Sequence, residues 1–424
     1  MIGRPVLWLL PVAAVVVATV GALSVSPIIA AGALVLAVLL MVPSSWLPGI
    51  AVAAWYGFGI AGLAGAVLGP ITIYELVLLL WLARESPRLL DARTRIEPTN
   101  WFLALFLVSL MAMTTLAQGP TTAVLRLVLY AACGVALERG ARMNKTALMF
   151  GGAFVVVQSV LMSFTGVTDR LYGYDPAQLG FLAIFIWIFF DFRKSLAIRL
   201  LVQSALVLVI LATQTRSVLF AFIVVAILRL IPKITRAALA AAVLVPLFVG
   251  VLLVDAFTAF LNLNADSAQL RVASLKAGVE VALANPWLGV GWANADINST
   301  IKDEGFYTQN FGVYNVFLGL LVAGGIVTLV AFLGFLLGKL EAARVGNKQV
   351  LLVLVAVVSM GMSEMIIYPG SVITFLFFLC AGMVRRGEKP DDAAVFAATE
   401  PIRTPMADES TCEPMDVRRH GTVL

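Results

Sequence analysis

Long apolar runs, separated by short polar bursts, make up most of this chain. A helix needs about 20 apolar residues to cross the hydrocarbon of a bilayer. Runs of this kind lie near 6–23, 27–43, 46–66, 70–83, 101–117, 121–137, 146–164, 179–192, 199–213, 217–231, 237–256, 311–337, 349–367 and 370–384. The pattern predicts an all-α polytopic membrane bundle of about 12–14 spans, with the shorter members kinked or extended at their ends. The first run follows Arg4 and lacks a small-residue cleavage site before the next, so it reads as an uncleaved helix rather than a signal peptide. Pro43, Trp46 and Pro48 leave little room for a turn between the second and third runs.

Two stretches break the pattern. From Arg385 the chain is polar, rich in Pro and acidic residues, and without periodicity, which predicts a disordered tail. Between Phe257 and Asn310 lies a long connection, and loops of that length usually carry function. Within it, Leu270, Ala273, Ala277, Val281 and Ala284 share one helical face, predicting an amphipathic helix over Ser267–Ala284. Asn285-Pro286 stops that helix. Gly289-Val290-Gly291 follows without a preceding strand, so it is no nucleotide fingerprint; the glycines suit a tight turn against the membrane domain.

Composition agrees with the pattern. The chain is 61% hydrophobic and only 12% charged, against roughly 25% charged in soluble domains. Its net charge of +5 comes from loops on one side and is no argument for nucleic acid. Cys133 and Cys380 lie in apolar runs and Cys412 in the tail, with no metal-ligand or disulfide spacing. His420, the single histidine, is in the tail.

The basic residues then orient the bundle. Arg84–Arg95, Arg139–Lys145, Arg193–Arg199, Lys233–Arg236, Lys339–Lys348 and Arg385–Lys389 all fall on one side. Cytoplasmic loops are enriched in Lys and Arg, so both termini are expected in the cytoplasm. The expected organisation is an N-terminal transmembrane bundle (1–256), a periplasmic loop with the amphipathic helix (257–310), C-terminal transmembrane helices (311–384) and a cytoplasmic tail (385–424).

Arg170, Arg216, Arg271 and Lys276 fall on the opposite side, where basic residues are disfavoured. Within the spans the ionisable residues Glu75, Arg126, Asp255 and Glu364 all lie towards that same side. Such residues usually face the bundle interior or a polar cavity. Glu75 and Arg126 sit at similar depth and either form a structural ion pair or serve the cavity. Arg216 occupies a tight turn with Gln214, Thr215 and Ser217, beside free N–H groups at a helix start. An anion fits there, because the arginine fork gives bidentate hydrogen bonds and stays charged. Lys276 reads as a solvated loop charge.

Arg216 between two spans, the long loop with Arg271, Asn285-Pro286-Trp287-Leu288-Gly289-Val290-Gly291, Tyr314-Asn315-Val316-Phe317-Leu318 and Gly325 together resemble the O-antigen ligase/polymerase family. The likeness runs from about Gln214 to Ile326; upstream it rests on hydropathy and span number. Members are multi-span glycosyltransferases acting on lipid-diphosphate-linked glycans at the outer face of the bacterial inner membrane. The resemblance implies an undecaprenyl-diphosphate-type glycan donor, a glycan acceptor, membrane lipid around both, and other polysaccharide assembly proteins as partners. No cofactor or metal is implied, since arginine fills the electrostatic role. It places the diphosphate grip on Arg216 and Arg271, with Arg170 and Arg126 as further candidates.

In the ligase branch the later motif begins with histidine, the proposed general base; here Tyr314 stands there, with Asn315 kept. A phenol with a reference pKa near 10 is a poor base at neutral pH. Asp296, Asp303, Glu304 and Glu364 are carboxylates on the same face that can serve instead. Tyr314 then either orients the acceptor or is an interface aromatic. The missing histidine favours a polysaccharide polymerase over a ligase acting on lipid A-core. A flippase for an anionic lipid-linked glycan is the alternative of another class, but it needs charge in both halves of the membrane.

Overall fold

The computed structural model describes residues 38–57, 72–91, 97–163, 175–190, 195–242, 265–292, 313–362, 364–368 and 370–384, all within one compact unit that ends at Arg386. The spans expected near 6–23 and 237–256, apart from the start of the latter, lie outside the described residues. So do the tail, Arg170, Asp255, Asp296, Asp303, Glu304 and the side chain of Arg271.

Among the described residues the fold is entirely helical: α1 (Leu47–Gly57), α2 (Ile73–Asp91), α3 (Pro98–Leu116), α4 (Thr121–Glu138), α5 (Lys145–Ser163), α6 (Pro176–Phe189), α7 (Leu196–Ala212), α8 (Arg216–Leu230), α9 (Ala265–Ala284), α10 (Val316–Gly346), α11 (Lys348–Gly361) and α12 (Val372–Gly382). α3, α4 and α10 are long and apolar enough to cross a membrane, and α6, α7, α11 and α12 are shorter apolar helices. α11 and α12 are buried almost throughout, whereas α7 exposes Leu200, Leu201, Leu208 and Leu211. In a soluble protein such leucines would be a liability; in a bilayer they face lipid. Helices pack closely through small residues, as membrane helices do: Gly134 of α4 touches the backbone of α12 at Phe378 and Gly382.

The polar contacts sort into two ends. At one, Arg84 donates to the Val42 carbonyl, Glu85 accepts from Ser44 and the Arg142 amide, and Lys348 donates to the carbonyls of Arg229 and Ile231. These are members of the basic clusters that orient the chain. Lys339 belongs here too, but not as a solvated charge. It is 1% exposed, 2.7 Å from Glu138 and 3.4 Å from Glu97, and Asn100 completes the group by donating to Glu138. A charge this deep is tolerable only when paired and hydrogen-bonded.

Several element bounds depart from the hydropathy reading. α2 and α10 continue past their apolar runs, because residues such as Leu340, Glu341, Ala342, Ala343 and Arg344 are good helix formers even where they no longer suit lipid. The run 349–367 does not stay helical: α11 stops at Gly361, and Met362 and Glu364–Tyr368 are irregular. Ile366 and Ile367 are apolar because they are buried in the bundle, so hydropathy alone could not separate them from a span.

α10 is broken at Gly325, which has φ 69° and ψ −170°. Carbonyls released at the break are used by the connection after α9. Val290 N donates to the Val322 carbonyl, Gly291 N to the Ala323 carbonyl, and Ile326 N to the Pro286 carbonyl, at 2.8–2.9 Å. Gly289 has φ +67°, and a Cβ there would strike the Val322 carbonyl. The glycines therefore make the tight approach that their spacing suggests. Thr328 donates to Gly324 O within the same break and meets Ser109 of α3 at 2.8 Å. Upstream, α9 lies against α10 with Ala273, Ser274, Ala277 and Ala282 buried, while Ala284 is exposed. The packed face is thus rotated towards Ser274 and Gly278, whose small side chains let the two helices meet.

Candidate functional site

At the end opposite the Lys339 cluster, the turn between α11 and α12 carries Glu364 and is held by five elements. Asn315, from the start of α10, donates its Nδ2–H to the Met362 carbonyl at 2.9 Å. Gln178 of α6 donates to Tyr368 Oη at 2.7 Å and accepts from Val372 N at 3.2 Å. Thr374 of α12 donates to the Ile366 and Tyr368 carbonyls. Trp55 of α1 donates to the Gly370 carbonyl at 3.1 Å. Ser217 of α8 reaches Glu364 Oε1 itself at 3.5 Å. The backbone that bears this half-exposed carboxylate is therefore held from several helices.

Arg216 precedes Ser217 and is the first residue of α8. Only Thr213, Gln214 and Thr215 separate α7 from α8, and Gln214 takes φ +48° to make the turn. The Thr215 hydroxyl donates to the Thr213 carbonyl at 3.1 Å and makes no cap bond to α8. The first-turn amides of α8 are thus not capped by Thr215, at a helix end that carries partial positive charge. Through Ser217, the first turn of α8 and the turn that bears Glu364 meet at this end of the bundle.

Tyr314 and Asn315 join from α10. Asn315 caps the helix, its Oδ1 accepting from Phe317 N and Leu318 N at 2.9 and 3.0 Å. With its Nδ2 on Met362, both ends of the amide have protein partners. Tyr314 N donates to Ser274 Oγ at 3.3 Å. Ser274 lies on α9 three residues after Arg271, so the helix that bears Arg271 is attached at this point. Ser217 and Asn315 thus both reach the turn that carries Glu364, and Arg216 and Tyr314 are their neighbours along the chain.

Arg126 is paired with Glu75. Its Nε is 2.6 Å from Glu75 Oε1, with the Glu75 side chain 5% exposed and that of Arg126 31%. Glu75 also accepts from Thr72 N at 2.7 Å, one half of a capping box over Thr72–Glu75 at the start of α2. Of the two readings open for this pair, the ion pair is the one formed. Beneath it, Trp55 stacks on Tyr74 at 3.8 Å between ring centroids.

Three residues of this end escape a reading by spans: Asp175, Gln178 and Tyr368. Asp175 caps α6 through Ala177 N at 3.0 Å and accepts from Tyr368 Oη at 3.4 Å. Burial first, and then the Asp175 charge, push the Tyr368 phenol above its ordinary pKa, so it stays protonated as a hydrogen-bonding group. The Asp175-Pro176 pair is itself a helix-start signal, but placing the span at 179 discards it as loop. α6 and α8 touch where Gly180 meets Val218, which brings Gln178 and Arg216, each two residues earlier, to the same end of neighbouring helices. No His, Cys, Asp and Glu group among the described residues has the makings of a metal site.

These features define an all-α polytopic membrane protein with one braced polar site at an end of its bundle. Residues 201–333 match the family model described as O-antigen ligase, over the stretch that holds most of the motifs of that resemblance. The matched segment includes Arg216, Arg271, Tyr314 and Asn315 but stops before Glu364. The curated proteins contain no match to the chain.

Proposed function

We propose that this protein is a bacterial inner-membrane glycosyltransferase that transfers a glycan from an undecaprenyl-diphosphate-type donor to a glycan acceptor at the periplasmic face. The carrying observation is the pairing of a fixed carboxylate, Glu364, with the α8 start that bears Arg216. An acceptor hydroxyl attacks the anomeric carbon of the donor and forms the new glycosidic bond. The bond from that carbon to the diphosphate oxygen breaks, and the lipid diphosphate leaves with both bonding electrons. Glu364 takes the hydroxyl proton. Arg216, the first amides of α8 and Arg271 stabilise the charge gathering on the leaving diphosphate. Tyr314 and Gln178 border the acceptor side, the basic pattern of the sequence assigns Arg170 and Asp296 to the same face, and Arg126 is a brace through its bond to Glu75.

Polymer elongation on a lipid-linked acceptor is the favoured reaction, because Tyr314 stands where a ligase would carry a histidine base. The description of the matched family supports ligation to lipid A-core as the second reading. The two separate when the gene is deleted and surface glycans are run on a gel. Loss of long chains with accumulation of single repeats supports a polymerase, and full-length polymer left on its carrier supports a ligase. Unprocessed repeats retained on the cytoplasmic side would contradict both and indicate a flippase.

A further inference from the structure

The connection that follows α9 is not a loop lying above the bundle. α9 runs alongside α10 in the same direction: Ser274 bonds to Tyr314, Gly278 lies against Leu318, and Pro286 bonds to Ile326. Since α10 begins at the site and descends into the bundle, α9 descends with it. At about 1.5 Å per residue, the stretch from Ser274 to Pro286 covers about 18 Å. The chain then turns through Asn285–Gly291 and comes back against α3, where Trp292 N donates to Thr114 Oγ1 at 3.2 Å.

Two rulers give the depth of the turn. Counting back about 20 residues, one hydrocarbon thickness, from Glu341, the first carboxylate along α10, arrives near Leu321. The turn bonds to Val322, Ala323 and Ile326, just inside that limit. On α3 it lies level with the last turn of a helix long enough to span, Pro98–Leu116. Irregular backbone at such depth must have its polar groups satisfied by protein, and the break at Gly325 supplies that, exchanging three backbone hydrogen bonds with the turn.

The outward side of the hairpin is graded in the same sense. Lys276 and Glu280 are exposed nearer the site. Further down, the exposed residues are Leu283 at 75%, Trp287 at 69% and Leu288 at 59%. They adjoin Ile326, Val327 and Val330 of α10, also exposed, so the apolar surface continues that of the spanning helix.

We propose that α9 and the Asn285–Gly291 turn form a re-entrant hairpin seated in the leaflet on the site's side, with Leu283, Trp287 and Leu288 against lipid acyl chains. The hairpin anchors α9, whose Ser274 accepts from Tyr314 N. This rests on the spanning of the membrane and not on glycosyl transfer, so either can fail alone.

The test uses the full chain in lipid vesicles with Cys412→Ser, which leaves the buried Cys133 and Cys380. Nitroxide labels go on Leu283→Cys and, separately, Lys276→Cys, and relaxation is compared between oxygen and a water-soluble nickel chelate. The expected result is that the label at 283 responds mainly to oxygen and the label at 276 mainly to the chelate. Equal and strong response to the chelate at both positions would overturn the proposal. Leu288→Cys, also exposed and in the turn itself, gives the same comparison if the 283 label impairs insertion.

Discussion

At the scale of single residues, the account separates groups that meet substrate from groups that hold them. Glu364 is assigned the proton, so Glu364→Gln, which keeps size and hydrogen bonding, should lower turnover by about 10²–10⁴-fold while the protein still inserts. Arg216→Lys keeps the charge but loses the planar fork; Arg216→Ala loses both. Polymer formation should fall in that order, and near-normal polymer in the alanine variant would remove the diphosphate grip. Asn315 offers a sharper separation. Asn315→Asp keeps the oxygen that caps α10 but loses the donor to Met362, so its melting temperature should stay near wild type while activity drops. Asn315→Ala should lose activity and also about 1 kcal/mol of stability, the usual cost of a lost cap. Tyr314→Phe should retain substantial activity, since the backbone N–H of Tyr314, and not its hydroxyl, makes the bond to Ser274.

At the scale of elements, the break in α10 and the turn after α9 depend on each other. Gly325 and Gly289 both adopt positive φ, and neither has room for a methyl group. Gly325→Ala should therefore cost more than the roughly 1–3 kcal/mol of an unfavourable backbone conformation alone, because the added carbon also meets the Trp287 carbonyl. Thermal unfolding in detergent checks this, and an unchanged midpoint would mean that α10 can straighten. The sequence already marked these positions: Asn285-Pro286 as a stop and the two glycines as a tight turn. It also marked α9, though with Ala284 on the packed face instead of Ser274, because a periodicity of small residues fixes a helix more firmly than its rotation. The end of α11 at Gly361 was hidden, since buried Met and Ile in a turn have the same hydropathy as Met and Ile in a span.

At the scale of the whole molecule, charge is divided between two ends, and the division is legible in the basic clusters of the sequence. What could not be read was which charges are solvated. Lys339 sits within a basic cluster, yet it joins α3, α4 and α10 through Glu97 and Glu138. Removing one member of a buried ion pair typically costs about 3–5 kcal/mol, while replacing the set with apolar groups is often neutral. Lys339→Met should thus destabilise strongly, and Lys339→Met with Glu138→Leu should recover part of the loss; no recovery would show that the cluster is not coupled. The Glu364 turn was illegible for a related reason. Its partners Trp55, Gln178, Ser217, Asn315 and Thr374 come from five separate helices, and no spacing along the chain reveals that they converge. The most direct measurement follows from that convergence. Purified protein in lipid nanodiscs, given a lipid-diphosphate-linked glycan as donor and acceptor, should extend the glycan, and both Glu364→Gln and Arg216→Ala should fail to do so while remaining folded. Extension by Glu364→Gln at the wild-type rate would contradict the central claim.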